Sequence, residues 1–259
     1  MSWSATQYVK FEAERNRPID DLLARIPATT PMHRAADIGC GPGNSTERLQ
    51  TRFPDAELSG IDSSPDMIAA ARARLPAVRF SIEDIATWPD PGPFDLILAN
   101  AALQWVPDHA ILLPALIAKL APGGSLAVQI PDNLDEPAHR LLRDVAVEEP
   151  FATILTGAGA ANANRHPADW YYRLLCGRVA GIDIWRTTYF HQLAGGPEAV
   201  VDWLKGTGLR PYLDRLDDAQ QAVFLDRYRA RIATAYPTLA EGVVLLPFPR
   251  LFIVATRAT

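Results

Sequence analysis

Asp37-Ile38-Gly39-Cys40-Gly41-Pro42-Gly43-Asn44-Ser45 is the stretch that decides how this chain folds. Three glycines at alternate positions stand between a short apolar run and a helical pattern. Glycine tolerates positive φ and has no Cβ, so backbone here can pass very close to a ligand. A helix that starts just after such a turn presents unpaired N–H groups and the positive end of its dipole. Outward from the turn, residues 35–130 alternate strand and helix signals, the mark of a parallel sheet with crossover helices.

The spacing predicts strands over 35–38, 57–61, 78–82, 94–99 and 125–130, and a helix over 45–53. Ser64-Pro65-Asp66 opens a helix to about Leu75, with Ser64 as its cap and Pro65 in the first turn. A further helix ends before Pro122-Gly123-Gly124, read as a stop signal. After Pro131 the rhythm changes. Helices are expected over 137–149, 167–176, 197–205 and 217–236, the last capped by Asp217, and a strand over 182–193. Runs 243–246 and 251–255 flank Pro247-Phe248-Pro249 as paired or interrupted terminal strands. Residues 1–259 read as a single domain with a cofactor-binding core at 35–130. Residues 132–180 and 197–236 read as helical insertions that cap the carboxyl edge of the sheet, where ligands of open α/β sheets bind. Residues 1–30 read as an N-terminal substrate-site segment, and 150–166 as a loop without a pattern.

Composition narrows the partners. The hydrophobic share is 48% and the charged share 21%, as in an ordinary globular protein. A net charge of −5 without any basic run argues against nucleic acid. No apolar stretch approaches a membrane span, and Met1-Ser2-Trp3-Ser4 lacks the regions of a signal peptide. The two cysteines, Cys40 and Cys176, include one in the glycine turn, so a disulfide is not expected and a cytoplasmic setting is. No metal-ligand spacing is present, and no metal is expected.

Two cofactor classes use a glycine turn of this kind. The dinucleotide fingerprint is G-x-G-x-x-G. Gly39 and Gly41 fit it, but the third required position is Asn44, and a glycine comes one residue early at Gly43. Asp62 follows the second strand, where a carboxylate can accept both ribose hydroxyls or, alternatively, close an Asx turn. Met67 can pack on a purine face or in the core. Asp84 can accept from an adenine amino group with Ile85 offering its N–H, or stand as a solvated strand-end acid. Asn100 and Ala101 close the fourth strand. These strand ends, with Asp95-Leu96-Ile97-Leu98-Ala99-Asn100 and Leu120-Ala121-Pro122-Gly123-Gly124-Ser125-Leu126, resemble the class I S-adenosylmethionine-dependent methyltransferases. That resemblance implies a Rossmann-like, mostly parallel α/β sheet. It implies S-adenosyl-L-methionine as cofactor and S-adenosyl-L-homocysteine as product. It places the cofactor on Asp37, Gly39, Cys40, Gly41, Asn44, Asp62, Ser63, Met67, Asp84, Ile85, Asn100 and Leu103.

The outer segments are more particular. Tyr8-Val9-Lys10-Phe11-Glu12-Ala13-Glu14-Arg15-Asn16-Arg17-Pro18, Leu103-Gln104-Trp105-Val106-Pro107-Asp108-His109 and Val128-Gln129-Ile130-Pro131-Asp132-Asn133 resemble trans-aconitate 2-methyltransferases. So do Trp185-Arg186-Thr187-Thr188-Tyr189-Phe190-His191, Thr207-Gly208-Leu209-Arg210-Pro211 and Phe248-Pro249-Arg250-Leu251-Phe252. The family implies methyl transfer to a carboxylate of a small tricarboxylate. A carboxylate is ionised at neutral pH and needs no general base, which agrees with a chain showing no Ser-His-Asp or Cys-His set. A tricarboxylate needs cations, and the planar fork of arginine suits it. The candidates are Arg17, Arg186, Arg210 and Arg250, each alternatively a surface ion pair. Gln129, Asn133, Tyr171 and His191 are further substrate contacts, and Trp105 walls the transfer site or packs in the core. Another carboxyl methyltransferase, such as one acting on malonyl-acyl carrier protein, and a non-catalytic S-adenosylmethionine-binding module are the rival readings; the oligomeric state is left open.

Overall fold

The computed structural model describes residues 12–26, 32–159 and 164–259; the expected contacts of residues 8–11, and part of the 150–166 loop, lie outside them. In chain order the elements are α1 (Glu12–Leu23), β1 (Arg34–Ile38), α2 (Asn44–Arg52), β2 (Glu57–Asp62), α3 (Pro65–Arg74), β3 (Arg79–Ile82), β4 (Phe94–Asn100), α4 (His109–Ala118) and β5 (Leu120–Pro131). Then follow α5 (Pro137–Ala146), α6 (Phe151–Ile154), α7 (Ala168–Leu175), β6 (Gly181–Ala194), α8 (Pro197–Lys205), α9 (Arg210–Leu213), α10 (Asp218–Ala235) and β7 (Val243–Thr256).

The seven strands form one sheet in the order β3-β2-β1-β4-β5-β7-β6. β3, β2, β1, β4 and β5 pair in parallel. β4 is buried along nearly its whole length because helices cover both faces of such a sheet, so its sequence is a continuous apolar run without alternation. Asp95 at its start accepts from the backbone N–H groups of His33 and Arg34 at 2.7 and 2.9 Å, which ties β1 beside it. Ser64 caps α3 as its sequence requires, accepting from Met67 N.

Three local expectations are corrected. The helix before Pro122-Gly123-Gly124 does stop, at Ala118, but β5 starts at Leu120 and not at Ser125, so these residues lie within it; a Cβ on Gly124 would stand 2.7 Å from the Phe94 carbonyl, so a bare backbone is needed beside β4. The terminal strands are one strand, β7, running through Pro247-Phe248-Pro249. α5 ends at Ala146, short of Glu149.

The chain packs as two compact units. The first comprises the described parts of Met1–Pro131 with Asn164–Thr187 and Leu251–Thr259. α7 belongs to it: Tyr171 and Leu175 are fully buried in the same core as Leu113, Leu116 and Ile130. The second unit, Asp132–Ala163 with Thr188–Arg250, holds a core of its own. There the Phe224 ring meets Phe151 edge-on at 5.2 Å and stacks on Tyr212 at 6.0 Å. α10 begins with a complete capping box between Asp217 and Gln220. Its Tyr228 hydroxyl donates to the Ala138 carbonyl at 2.9 Å, and Ala138 N–H, one of the open donors at the start of α5, donates to the Tyr236 hydroxyl at 3.0 Å.

Candidate active site

The strand order reverses between β1 and β4, and the crevice outside the carboxyl ends of these strands is where such sheets bind ligands. The glycine turn leaves β1 at that point. Gly39 has φ +74, and a Cβ on it would lie 2.4 Å from the Ala102 Cβ and 3.3 Å from the Ile85 side chain. Its bareness therefore brings the loops after β1, β3 and β4 together. Gly41 has φ +55 and nothing within 4 Å of a Cβ position, so its space is open to a ligand. Gly43 has another duty: a Cβ there would sit 3.2 Å from the Ala71 backbone, which accounts for the early third glycine by the packing of α2 on α3. The Cys40 side chain faces Gly60 of β2 and is buried, which pushes its thiol pKa up; only its backbone remains for a cofactor.

The acids at the strand ends are held by the protein. Asp37 is wholly buried and accepts on Oδ2 from the Ser45 and Thr46 hydroxyls at 2.7 and 2.6 Å. Burial raises its pKa to about 6, against those two hydrogen bonds and with a contribution from the Asp62 charge. Asp62 accepts from Gly41 N–H at 3.0 Å on Oδ2 and closes an Asx turn to Ser64 N–H at 2.9 Å on Oδ1, so the turn reading is realised, with lone pairs to spare on both oxygens. Asp84 is exposed and caps a short turn through Ala86 N–H at 2.8 Å. Ser63 is exposed and Met67 is buried. Asn44 donates its amide to Asn16 Oδ1 at 3.0 Å. Arg48 grips Asp20 with two bonds of 2.7 Å. Both contacts hold α1 against α2.

After β4 the chain makes an uncommon turn. Ala101 has φ +52. Its N–H donates to the Gln129 carbonyl at 2.9 Å, and its carbonyl accepts from the Gln104 amide at 2.7 Å. Asn100 is buried just before it, paired in register with the wholly buried Gln129 of β5. Leu103, expected at the cofactor, is wholly buried in the core, and its carbonyl accepts from His109 Nε2 at 2.8 Å. Since a carbonyl only accepts, Nε2 carries the proton, and Nδ1 accepts from the Tyr171 hydroxyl at 2.8 Å. Burial lowers the His109 pKa and keeps the ring neutral. Tyr171 is thus a core residue in this network. Trp105 is 42% exposed and does not pack in the core.

The second unit gathers three of the expected substrate residues. Arg250, His191 and Asn133 are all buried in it. The Arg250 guanidinium lies 4.7 Å from the centre of the Phe248 ring. The His191 ring stacks on Trp203 at 4.6 Å and meets Phe248 at 5.3 Å. Asp132 N–H donates to the Pro249 carbonyl at 2.8 Å, which sets the neighbouring Asn133 beside the same strand. Of the other arginines, Arg17 and Arg186 are exposed, and Arg210 pairs with Asp214 at 3.5 Å on a half-buried helix face. Sequence reasoning passed over Asn16, Gln104 and His109. Each stands in a quoted family segment, but its task is a contact with a residue remote in sequence or with strained backbone. Among the described residues no cluster of His, Cys, Asp and Glu could hold a metal, and no helix is long and apolar enough to cross a membrane.

The methyltransferase-domain family matches residues 35–124. Over 256 residues the chain is 56% identical to the trans-aconitate 2-methyltransferase of Methylobacterium nodulans, covering 98% of each. It belongs to the trans-aconitate 2-methyltransferase family. The family member of Rhizobium meliloti is 52% identical over 257 residues, 99% of each chain. Solved structures show the same fold at low identity. The YcgJ protein of Bacillus subtilis superposes with a TM-score of 0.62 at 12% identity, over 94% of this chain and 99% of that one. Phosphoethanolamine N-methyltransferase 2 of Haemonchus contortus, solved with S-adenosyl-L-methionine, gives 0.56 at 15% identity, over 94% of this chain and 53% of that one.

Proposed function

We propose that this chain transfers a methyl group from S-adenosylmethionine to a carboxylate of trans-aconitate, leaving a monomethyl ester and S-adenosylhomocysteine. The observation that carries the reading is the reach of the likeness. Identity of 56% over 98% of the chain takes in the second unit, which the match at residues 35–124 does not.

The residues at the glycine turn fit the cofactor. Asp37 Oδ1 and Asn100 Oδ1 are buried acceptors that receive no hydrogen bond from the protein. A surplus of acceptors suits a ligand that brings N–H donors and positive charge. When bound, S-adenosylmethionine supplies an electrophilic methyl group on a positively charged sulfur.

The protein's part is to bind and to aim. A carboxylic acid with a pKa of about 4 is already ionised at neutral pH, so the acceptor oxygen is a nucleophile on arrival. The side chains nearest in type to a base agree with this: both His109 nitrogens are engaged, and the Cys40 thiol is held protonated by burial. Positioning of reactants supplies about 7–11 kcal/mol in favourable cases. Arg250 binds a substrate carboxylate through its fork, with its charge placed over the Phe248 ring, and His191 and Asn133 add donors from the same unit. Asp37, Asp62, Asn100 and the bare backbone at Gly41 hold the cofactor.

Incubation with S-adenosylmethionine and trans-aconitate, followed by mass measurement of the product, tests this. A monomethyl ester of trans-aconitate is expected. Binding of S-adenosylhomocysteine without any ester would leave only a cofactor-binding module, and methylation of malonyl-acyl carrier protein in preference would move the acceptor.

A further inference from the structure

We propose that Gln104 is a positioning residue, whose side-chain amide locks Ala101 in the left-handed turn that sets Asn100 and Ala102 against the glycine loop. The proposal rests on the reading of that loop as the cofactor site.

The argument starts from Ala101. A residue with a Cβ is disfavoured at positive φ, and one held there needs surroundings that over-determine it. Ala101 has φ +52 and is held at both backbone groups, its N–H by the Gln129 carbonyl at 2.9 Å and its carbonyl by Gln104 Nε2 at 2.7 Å. The first bond is an extension of the β4–β5 ladder, where Asn100 pairs with Gln129. The second comes from a side chain and is the only one of the two that a substitution can remove. Gln104 is nine-tenths buried, and its orientation is fixed, because turning the amide would bring Oε1 against the Ala101 carbonyl.

What the lock holds in place lies on either side. Before Ala101 stands Asn100, buried, its Oδ1 without a protein donor. After it stands Ala102, whose Cβ would be 2.4 Å from a Cβ on Gly39. A change of φ and ψ at Ala101 therefore swings Asn100 relative to Ala102 and opens the contact with the glycine loop. Gln104 Oε1 is also buried without a partner. A glutamine kept at that cost, with only one of its ends satisfied, points to a task for the other end.

Calorimetric titration with S-adenosylhomocysteine and thermal unfolding of the free protein test the proposal. Gln104→Ala, and Gln104→Glu, which keeps the volume but cannot donate when ionised, should each weaken binding about tenfold or more while the free protein still melts cooperatively. In steady state the same variants should raise KM for S-adenosylmethionine more than they lower kcat. Ala101→Gly should bind as the wild type does, since glycine takes the left-handed turn without help. The decisive variant is Ala101→Gly combined with Gln104→Ala, which should recover most of the lost affinity. A double variant as weak as Gln104→Ala, or a Gln104→Ala that binds normally, overturns the proposal while leaving the cofactor reading standing. Wild-type protein that fails to bind S-adenosylhomocysteine overturns the cofactor reading itself, and the proposal with it.

Discussion

Alanine at Gly39 and alanine at Gly41 should fail in different ways, although the two sites are two residues apart and both have positive φ. The left-handed conformation alone costs an alanine about 1–2 kcal/mol. At Gly39 that is not the end of the cost. The new methyl would meet Ala102 Cβ at 2.4 Å and Ile85 at 3.3 Å, with the Ala102 backbone at 3.6 Å behind. The Ile85 tip can give way, but Ala102 Cβ is fixed to its own backbone, so the loops must part, and overpacking of this kind adds about 1–3 kcal/mol. Gly39→Ala should therefore lose about 2–5 kcal/mol of stability in denaturant titration of the free protein. At Gly41 the methyl would meet nothing within 4 Å, so the loss should stay at about 1–2 kcal/mol. Its methyl instead fills space assigned to the ligand, and affinity for S-adenosylhomocysteine should drop about tenfold or more. Unfolding curves and calorimetry on the two variants give the answer together. Equal stability losses, with undiminished binding by Gly41→Ala, would refute the division of labour argued for this turn.

Asp37 predicts a pH effect. Its carboxyl keeps a proton up to about pH 6 in the fold and releases it at 3.8 unfolded, so the folded state binds more protons in that window and stability falls as pH rises through it. Relative to Asp37→Asn, the wild type should lose about 3 kcal/mol across the window, read from denaturant midpoints at successive pH values; parallel curves would contradict the raised pKa. Arg250→Lys keeps the charge but loses the fork, and KM for trans-aconitate should rise about tenfold with S-adenosylhomocysteine affinity unchanged; Arg210→Ala, already paired with Asp214, should change it far less in the same assay. Tyr171→Phe strands His109 Nδ1 and should cost about 1–3 kcal/mol in unfolding while leaving both KM values in place; a large kinetic effect would return Tyr171 to the substrate site.

The sequence by itself determined the parallel sheet, the glycine turn at its switch point and the cofactor class. These follow from local rules: bare backbone at Gly39 and Gly41, a Ser64-Pro65 helix start, and an apolar β4 between polar turns. It also offered Arg250, His191 and Asn133 beside Arg17, Arg186 and Arg210, through likeness in the outer segments, without saying which are buried. Burial is a property of packed neighbours. The same limit hid the packing of Tyr171 and Leu103 in the core and their shared partner His109. It explains the split into two units as well, since the second closes over Phe151, Tyr212 and Phe224 from segments separated by Asn164–Thr187. Only the tertiary structure could assign Asn44 to Asn16 and Gln104 to Ala101. A strained φ leaves no mark in an alanine's name, and a hydrogen bond across 28 residues has no period to read.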